Sequence, residues 1–279
     1  MSPDVSNPAA REITYDELFT DVCEQVDGLI EGGADVILIE TIFDTLNCKA
    51  MIDAALTMMK KHGVELPVMI SLTVSDLAGR TLSGQTVDAF LASLSPYPIF
   101  SVGMNCAFGA PQMKPFIEHM AQVAPYYISA HPNAGLPNEM GEYDETAESM
   151  APQIAEFIDE GIVNIIGGCC GTSPEFIAHY ARIAEGKKPH QVVEKPKYMW
   201  LSGLDLLQVD DFVHLPVDTS RFVNVGERCN VAGSRKFLRL INEKNYEEAI
   251  GIARKQVADG AAVVDVNMDD GLLDAKAEM

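Results

Sequence analysis

The sequence contains no long apolar run and few basic residues. No segment approaches the roughly 18–20 consecutive apolar residues that a membrane-spanning helix needs, and the opening segment MSPDVSNPAAREITYDEL has no apolar core of a secretory signal. Lysine and arginine total 20 against 41 aspartates and glutamates, which gives a formal net charge of −21. Because nucleic acids and anionic membranes are recognised by basic patches, this balance argues against both as partners.

Cysteine is also scarce, with six in 279 residues, far below the density of a disulfide scaffold. Without a secretory signal, we expect a cytoplasmic protein in a reducing environment, where cysteines remain thiols or bind metal. The chain is 47% hydrophobic and 22% charged. This composition predicts a globular protein of one large or two medium domains with a substantial core.

One unit recurs along the first part of the chain, namely a short apolar run, a turn and an amphipathic stretch. Residues 36–39 are a continuous apolar run, which predicts a strand buried on both faces, as in parallel sheets. Further strands are predicted at residues 67–74, 100–105, 126–131 and 163–168. An amphipathic stretch follows each strand, so the pattern predicts a parallel α/β sheet. Periodicity alone fits both an open doubly wound sheet and a (β/α)₈ barrel.

Local signals mark several helix starts and one change of composition. Thr14 and Glu17 form a capping-box pair, Asp44 can cap the next helix, and Ser173 precedes a proline at a favourable first helical position. Residues 187–221 are rich in lysine and proline and show no helical face, which predicts a linker. It separates a domain at residues 1–186 from a second at 222–279, with predicted strands at 222–226 and 262–267 and a helix at 246–257. The chain stops soon after its last predicted strand, so we expect a truncated second domain.

Three cysteines stand at the ends of two predicted strands: Cys106, and the adjacent pair Cys169 and Cys170. The carboxyl ends of parallel strands emerge at one face of the fold, so we expect these thiols to meet. Three thiolates suit zinc and leave its fourth tetrahedral position open. Packing is an equal alternative on pattern alone, because free cysteine is among the most buried residue types. Cys23 and Cys48, on predicted helices, are interpreted as packing residues.

An open position beside three thiolates predicts a particular chemistry. A free thiol has a pKa of about 8.5, and coordination to a cation deprotonates it. A substrate thiol at the open position would therefore become a thiolate, and the negative charge of three cysteinate ligands would preserve electron density on its sulfur. The pattern thus favours thiol alkylation over the activation of water.

Seven segments carry a specific resemblance to a known family and together extend over most of the chain. They are residues 38–45 (LIETIFDT), 79–86 (GRTLSGQT), 103–106 (GMNC), 131–138 (HPNAGLPN), 167–172 (GGCCGT), 222–228 (FVNVGER) and 265–269 (DVNMD). They resemble the cobalamin-dependent methionine synthases. The resemblance implies a partial (β/α)₈ TIM barrel of about five C-terminal strands that binds homocysteine, then the linker, then the start of a second TIM barrel that binds pterin. Cys229 departs from the pattern, because threonine is common there in the family.

The resemblance also implies roles for individual residues. Cys106, Cys169 and Cys170 would bind the zinc that activates homocysteine, and Glu40 would hold the ammonium group of that substrate. Asn105, like His131, ends a strand and is a candidate for lining the same pocket. The candidates for folate contacts in the second domain are Glu227, Arg228, Asn230, Asp265 and Asn267. Structural roles at strand ends are the alternative for each of these substrate contacts.

The reaction implied by the resemblance moves a methyl group from 5-methyltetrahydrofolate through cobalamin to zinc-activated homocysteine, giving methionine. Methylcobalamin would be bound by a module that this chain lacks, so we expect the chain alone to be inactive. One alternative is a cobalamin-free homocysteine S-methyltransferase with a small onium donor. The segments that resemble a second barrel argue against it, because such an enzyme needs no second barrel. Two others are a barrel pair that serves a separate corrinoid protein, and a non-catalytic zinc–thiolate remnant.

Overall fold

Strands and helices alternate along the structure, a computed structural model that describes residues 10–74, 76–195, 199–209 and 222–279. The chain divides into two units, Met1–Gln208 and Val209–Met279. The strands are β1 (Ile37–Ile42), β2 (Val68–Leu72), β3 (Ser101–Asn105), β4 (Tyr127–His131), β5 (Ile165–Ile166), β6 (Met199–Ser202), β7 (Leu206–Val209), β8 (Val225–Asn230) and β9 (Val263–Asn267). The helices are α1 (Tyr15–Glu31), α2 (Thr45–His62), α3 (Val87–Leu94), α4 (Ala110–Val123), α5 (Ala147–Asp159), α6 (Pro174–Ala184), α7 (Arg235–Asn242), α8 (Tyr246–Ala258) and α9 (Ala275–Glu278).

The first unit is built on a five-stranded parallel sheet with the strand order β1-β2-β3-β4-β5. Each strand is followed by a helix, and each next strand lies beside the previous one. A doubly wound sheet instead reverses its strand order at a switch point. The observed order, with no reversal, is consistent with a partial (β/α)₈ barrel.

The two faces of this sheet differ in chemistry. The side chains that point toward the helices are aliphatic and buried, among them Ile70, Val102 and Ile128, each 0% exposed. The opposite face carries small polar residues, including Ser71 and Ser129, which are also fully buried. Alternation of side chains along each strand produces this separation, since residues two apart share a face. The polar face is the one that leads to the cysteines.

Every residue of β2 and β3 is buried. The prediction that the run at residues 36–39 is buried on both faces is wrong, since Leu38 of β1 is 43% exposed and Glu40 is also exposed. The reason is position, because β1 forms one edge of the sheet and an apolar run does not reveal how many neighbours its strand will have.

The predicted helix starts are present. Thr14 and Glu17 form the capping box of α1, and Asp44 accepts a hydrogen bond from the Leu46 amide at the start of α2. Ser173 occupies the N-cap of α6 without a side-chain hydrogen bond. In the part of the chain that the structure describes, no helix is both long and apolar enough to cross a membrane.

The predicted linker contains two strands that its lysine- and proline-rich sequence does not indicate, β6 and β7, which pair with each other. They lie against α3 in the first unit. The Thr86 amide donates a hydrogen bond to the Leu204 carbonyl over 2.9 Å, and the Ser202 hydroxyl donates one to the Ala89 carbonyl over 2.6 Å. This part of the linker is therefore a packed element of the first unit.

The second unit has a parallel pair of strands, β8 and β9, joined through α7 and α8. The predicted helix 246–257 is confirmed as α8, and the last predicted strand as β9. The strand predicted at 222–226 is displaced toward the carboxyl end, because β8 continues through Glu227 and Arg228 where its pairing register shifts. A small apolar core forms around Phe237, Leu240 and other residues of α7.

Candidate metal and substrate site

The three predicted cysteines meet at the carboxyl ends of β3 and β5. The Sγ atoms of Cys106 and Cys170 are 3.7 Å apart, and those of Cys169 and Cys170 are 4.0 Å apart. All three sulfurs lie within 4.8 Å of one another, and all three cysteines are free thiols. The prediction that these thiols converge is confirmed, and it follows from strands β3 and β5 of the same parallel sheet, which flank β4 and end at the same edge.

The spacing of the sulfurs fits a tetrahedral metal. Zinc–sulfur bonds of about 2.3 Å in tetrahedral geometry place two sulfurs about 3.8 Å apart, which the measured 3.7 and 4.0 Å match. Three soft donors with no fourth cysteine are typical of a zinc site with an open position. Cys170 is exposed while Cys106 and Cys169 are half-buried, so solvent reaches the cluster from the side of Cys170.

The loops around the cysteines are fixed by backbone hydrogen bonds from the segment that follows β4. The Cys106 amide donates to the His131 carbonyl over 3.2 Å, and the Cys169 amide donates to the Pro132 carbonyl over 2.9 Å. The Cys170 amide donates to the side-chain oxygen of Asn133 over 3.1 Å. This segment therefore ties together the two strand ends that carry the thiols.

The backbone at Cys106 is strained. Its φ is 60°, and the next residue, Ala107, has φ of 59°. Non-glycine residues rarely occupy this left-handed region, and where they do the strain is commonly found at functional sites. Here the turn brings the Cys106 sulfur back toward the other two.

Burial sets the ionisation of the groups at the cluster. It raises the pKa of the Cys169 thiol to about 11, although a hydrogen bond donated by Asn105 lowers this pKa. Burial also raises the pKa of the Tyr143 phenol, and a hydrogen bond to the Cys170 side chain raises it further. Without a cation the Cys169 thiol therefore keeps its proton at neutral pH, and a bound metal would have to displace it.

Glu40 lies beside the cluster because β1 bulges. The pairing of β1 with β2 shifts register between Ile39 and Ile42, and both intervening residues, Glu40 and Thr41, are exposed. A bulge of this kind redirects side chains at the end of a strand. The Glu40 carboxylate is thereby within 3.3 Å of the Asn105 amide nitrogen, which in turn lies 3.8 Å from the Cys169 sulfur.

Asn105 is not on the surface of the pocket, since it is only 1% exposed. His131, its neighbour across the strand pair, packs its ring against Gly167, where an added Cβ would lie 2.4 Å from the imidazole. Burial lowers the pKa of His131, and its Nδ1 finds no hydrogen-bond partner among the described residues. Both residues thus border the site from within the sheet.

Comparison with known families identifies the first unit. Residues 1–184 match the homocysteine S-methyltransferase family. The chain belongs to this family. Residues 226–279 match a second family, the pterin binding enzymes.

Among solved structures, the homocysteine methyltransferase MmuM from Escherichia coli is similar in two forms. The apo form is 20% identical with a TM-score of 0.48, covering 62% of this chain and 58% of that one. The metallated form is 19% identical with a TM-score of 0.49, covering 64% and 56% respectively. The chain therefore spans a little over half the length of these relatives.

In the pterin-binding match, three of the candidate residues share one face of the β8–β9 pair. Asn230 and Asn267 are paired in register, and Asp265 lies two residues before Asn267 and so points to the same side. The side-chain oxygens of the two asparagines accept hydrogen bonds from backbone amides. The Ala232 amide donates to Asn230 over 2.9 Å, and the Asp269 amide donates to Asn267 over 2.7 Å.

The other two candidates, Glu227 and Arg228, lie in the irregular part of β8 and are exposed. Cys229 is buried within the strand, 3.4 Å from the side-chain nitrogen of Gln256, and has a packing role. Cys48 is likewise fully buried, which confirms its interpretation as a packing residue, whereas Cys23 is half-buried.

Two residues near the thiols in the homocysteine S-methyltransferase unit are not among the residues predicted from the sequence. Thr41 holds a φ of 56°, a conformation that nothing in a run of strand-forming residues indicates. Tyr143 reaches Cys170 from the long loop before α5. The glycine at position 171 is the only sequence signal of this approach. In the folded structure, an added Cβ at that position would lie 2.5 Å from the Cβ of Tyr143.

Proposed function

We propose that this chain carries the homocysteine-binding and folate-binding functions of a cobalamin-dependent methionine synthase. The first unit would bind homocysteine as the methyl acceptor, and the second would bind 5-methyltetrahydrofolate as the methyl donor. The observation that carries the proposal is the cluster of three thiols at tetrahedral spacing, with one open side and a carboxylate next to it.

In this proposal Cys106, Cys169 and Cys170 hold zinc. When bound, zinc supplies a positive charge that favours the thiolate form of homocysteine at neutral pH. Glu40 would bind the ammonium group of the same substrate, since its carboxylate and the Cys169 sulfur both lie next to the Asn105 amide nitrogen. Together these groups fix both ends of the amino-acid thiol and orient its sulfur.

In the second unit, Asp265, Asn230 and Asn267 present carboxylate and amide groups on one face. Such groups can pair with the alternating donors and acceptors at the edge of a pterin ring. Glu227 and Arg228 lie within β8 at its register shift and complete the proposed contacts. The match of this segment to pterin binding enzymes supports the folate route over a small onium donor.

The proposal can be tested by calorimetry on the full chain, with zinc loaded and each ligand titrated separately. Homocysteine should bind one site and 5-methyltetrahydrofolate another. The Cys170→Ser variant should lose homocysteine binding and keep folate binding, and Asn267→Ala should show the reverse.

Two results would count against the proposal. A folded, zinc-loaded chain that binds neither ligand would contradict it. Methionine formation from homocysteine with a small sulfonium donor, but not with methylcobalamin, would favour the cobalamin-free alternative.

A further inference from the structure

The side-chain amide of Asn105 makes an unusually dense set of contacts at the end of β3. Its oxygen accepts hydrogen bonds from the Thr41 backbone amide over 3.0 Å and from the Ser71 hydroxyl over 2.7 Å. Its nitrogen donates to the Thr41 hydroxyl over 2.8 Å and to the Glu40 carboxylate over 3.3 Å. The same nitrogen lies 3.8 Å from the Cys169 sulfur.

These contacts fix the direction in which the amide points. The Thr41 backbone amide can only donate, so the group that faces it must be the oxygen of Asn105. The nitrogen is then forced to face the Glu40 carboxylate and the Cys169 sulfur, both of which are acceptors when ionised. Because Asn105 is 1% exposed, water does not compete for these positions.

The amide also holds Thr41 in a strained conformation. Thr41 is β-branched and has a φ of 56°, a region that such residues rarely occupy. Asn105 forms two hydrogen bonds with Thr41, one with the backbone amide and one with the hydroxyl. These hydrogen bonds lie at the bulge of β1 that turns Glu40 toward the thiols.

One side chain therefore sets the separation of two groups that come from different strands. Glu40 and Cys169 both contact the same nitrogen, at 3.3 and 3.8 Å, so their acceptor atoms lie within about 7 Å of each other. We propose that Asn105 is a positioning residue that fixes the distance between the Glu40 carboxylate and the Cys169 sulfur, and thereby selects homocysteine over shorter amino-acid thiols. This inference rests on the proposed function, in which Glu40 would bind the ammonium group of the substrate and the zinc held by Cys169 and the other two cysteines would bind its thiol.

The selectivity follows from bond counts. Four bonds separate nitrogen from sulfur in homocysteine and three in cysteine, so one fixed pair of contacts suits only one of them. If Asn105 is removed, Thr41 and Glu40 are free to relax, and the second anchor can adapt to either length. Homocysteine would then lose its advantage over cysteine, whereas binding of the thiol itself would persist through the zinc that the three cysteines would hold.

The test is the ratio of the dissociation constants of cysteine and homocysteine, measured by calorimetry on the zinc-loaded full chain. We expect the ratio to fall about tenfold in Asn105→Ala, which is the scale of discrimination by a single methylene. Ser101→Ala is the matched control, because Ser101 is fully buried on the same polar face and lies outside these contacts. Its ratio should equal that of the wild type.

A second measurement does not depend on a variant that folds. In the wild type, 4-mercaptobutyrate and 3-mercaptopropionate have the thiol and carboxylate of the two amino acids but no ammonium group. Without a partner for Glu40, these two ligands should bind with nearly equal affinity. A length preference that survives the loss of the ammonium group would overturn the inference.

The possible failures are distinguishable. If Asn105→Ala weakens both amino acids equally and leaves the ratio unchanged, Asn105 has only a structural role and the inference is wrong. If the folded wild-type chain binds zinc but not homocysteine, the proposed function itself is wrong, and the inference falls with it.

Discussion

Substituting alanine for Gly103 tests the packing of the sheet directly beneath the thiols. A Cβ at this position would lie 1.9 Å from the Ser129 carbonyl oxygen and 2.6 Å from its carbonyl carbon. Carbon–oxygen contacts in sheets are normally about 3.3 Å or longer, so the neighbour would have to move by about 1.4 Å. The obstacle is backbone, and Ser129 is paired with Gly103 on one side and Ile165 on the other.

The loss in the free energy of unfolding of Gly103→Ala is therefore expected to lie at the upper end of the range for overpacked cores. Overpacked cores lose about 1–3 kcal/mol and occasionally more, and here ladder hydrogen bonds between β3 and β4 must also distort. Gly28→Ala is the matched control, because Gly28 lies within α1 and a Cβ there meets nothing within 4 Å. In a helix interior the same change should stabilise the protein by about 0.8–1 kcal/mol.

The two variants can be compared by urea unfolding, followed by circular dichroism and by the fluorescence of the single tryptophan, Trp200. Trp200 lies in β6, within the first unit. With a slope of about 2 kcal/mol per molar urea, a loss of about 3 kcal/mol lowers the midpoint by about 1.5 M. A Gly103→Ala midpoint equal to the wild type would refute the close approach of β3 and β4.

Three further predictions concern other parts of the first unit. The hydrogen bond that His119 donates to the Asp88 carboxylate raises the pKa of His119. Its stabilising contribution is therefore complete below the unfolded pKa of about 6.5 and is lost as pH rises through the folded value. His119→Gln should therefore lower the free energy of unfolding at about pH 5.5 and change it little at about pH 8.5, and an effect of the opposite sign would contradict this. Thr146→Ala removes the capping hydrogen bond of α5 and should lower the free energy of unfolding by about 1 kcal/mol, measured by thermal or urea unfolding. Ser173→Ala changes a cap that has no side-chain hydrogen bond and should lower it by less. Equal losses in the two variants would argue against the capping geometry. Cys169→Ser should lower the zinc content of the chain, measured by competition with a chelator, and unchanged zinc affinity would remove Cys169 from the metal site.

Much of the first unit could be predicted because its strands are short, mostly apolar runs and its helices have clear start signals. β2 and β3 are buried throughout, and each has a neighbouring strand on both sides. The displacement of β8 shows where the pattern fails. Glu227 and Arg228 lie inside that strand, and charged residues at a register shift break the alternation on which the prediction depends.

The thiol cluster was predictable for a similar reason, because parallel strands place their carboxyl ends together. The detailed contacts were not. The position of Glu40 depends on a bulge and on a strained Thr41, and both are stabilised by Asn105, more than sixty residues away along the chain. Such a contact follows from the folded sheet, and no local pattern in the sequence indicates it.

The most direct test of the proposed function is X-ray absorption at zinc in the purified full chain, before and after the addition of homocysteine. The thiol cluster predicts zinc with three sulfur ligands from the protein, rising to four when homocysteine binds. A folded chain that holds no zinc, or a sulfur count that homocysteine does not change, would contradict it.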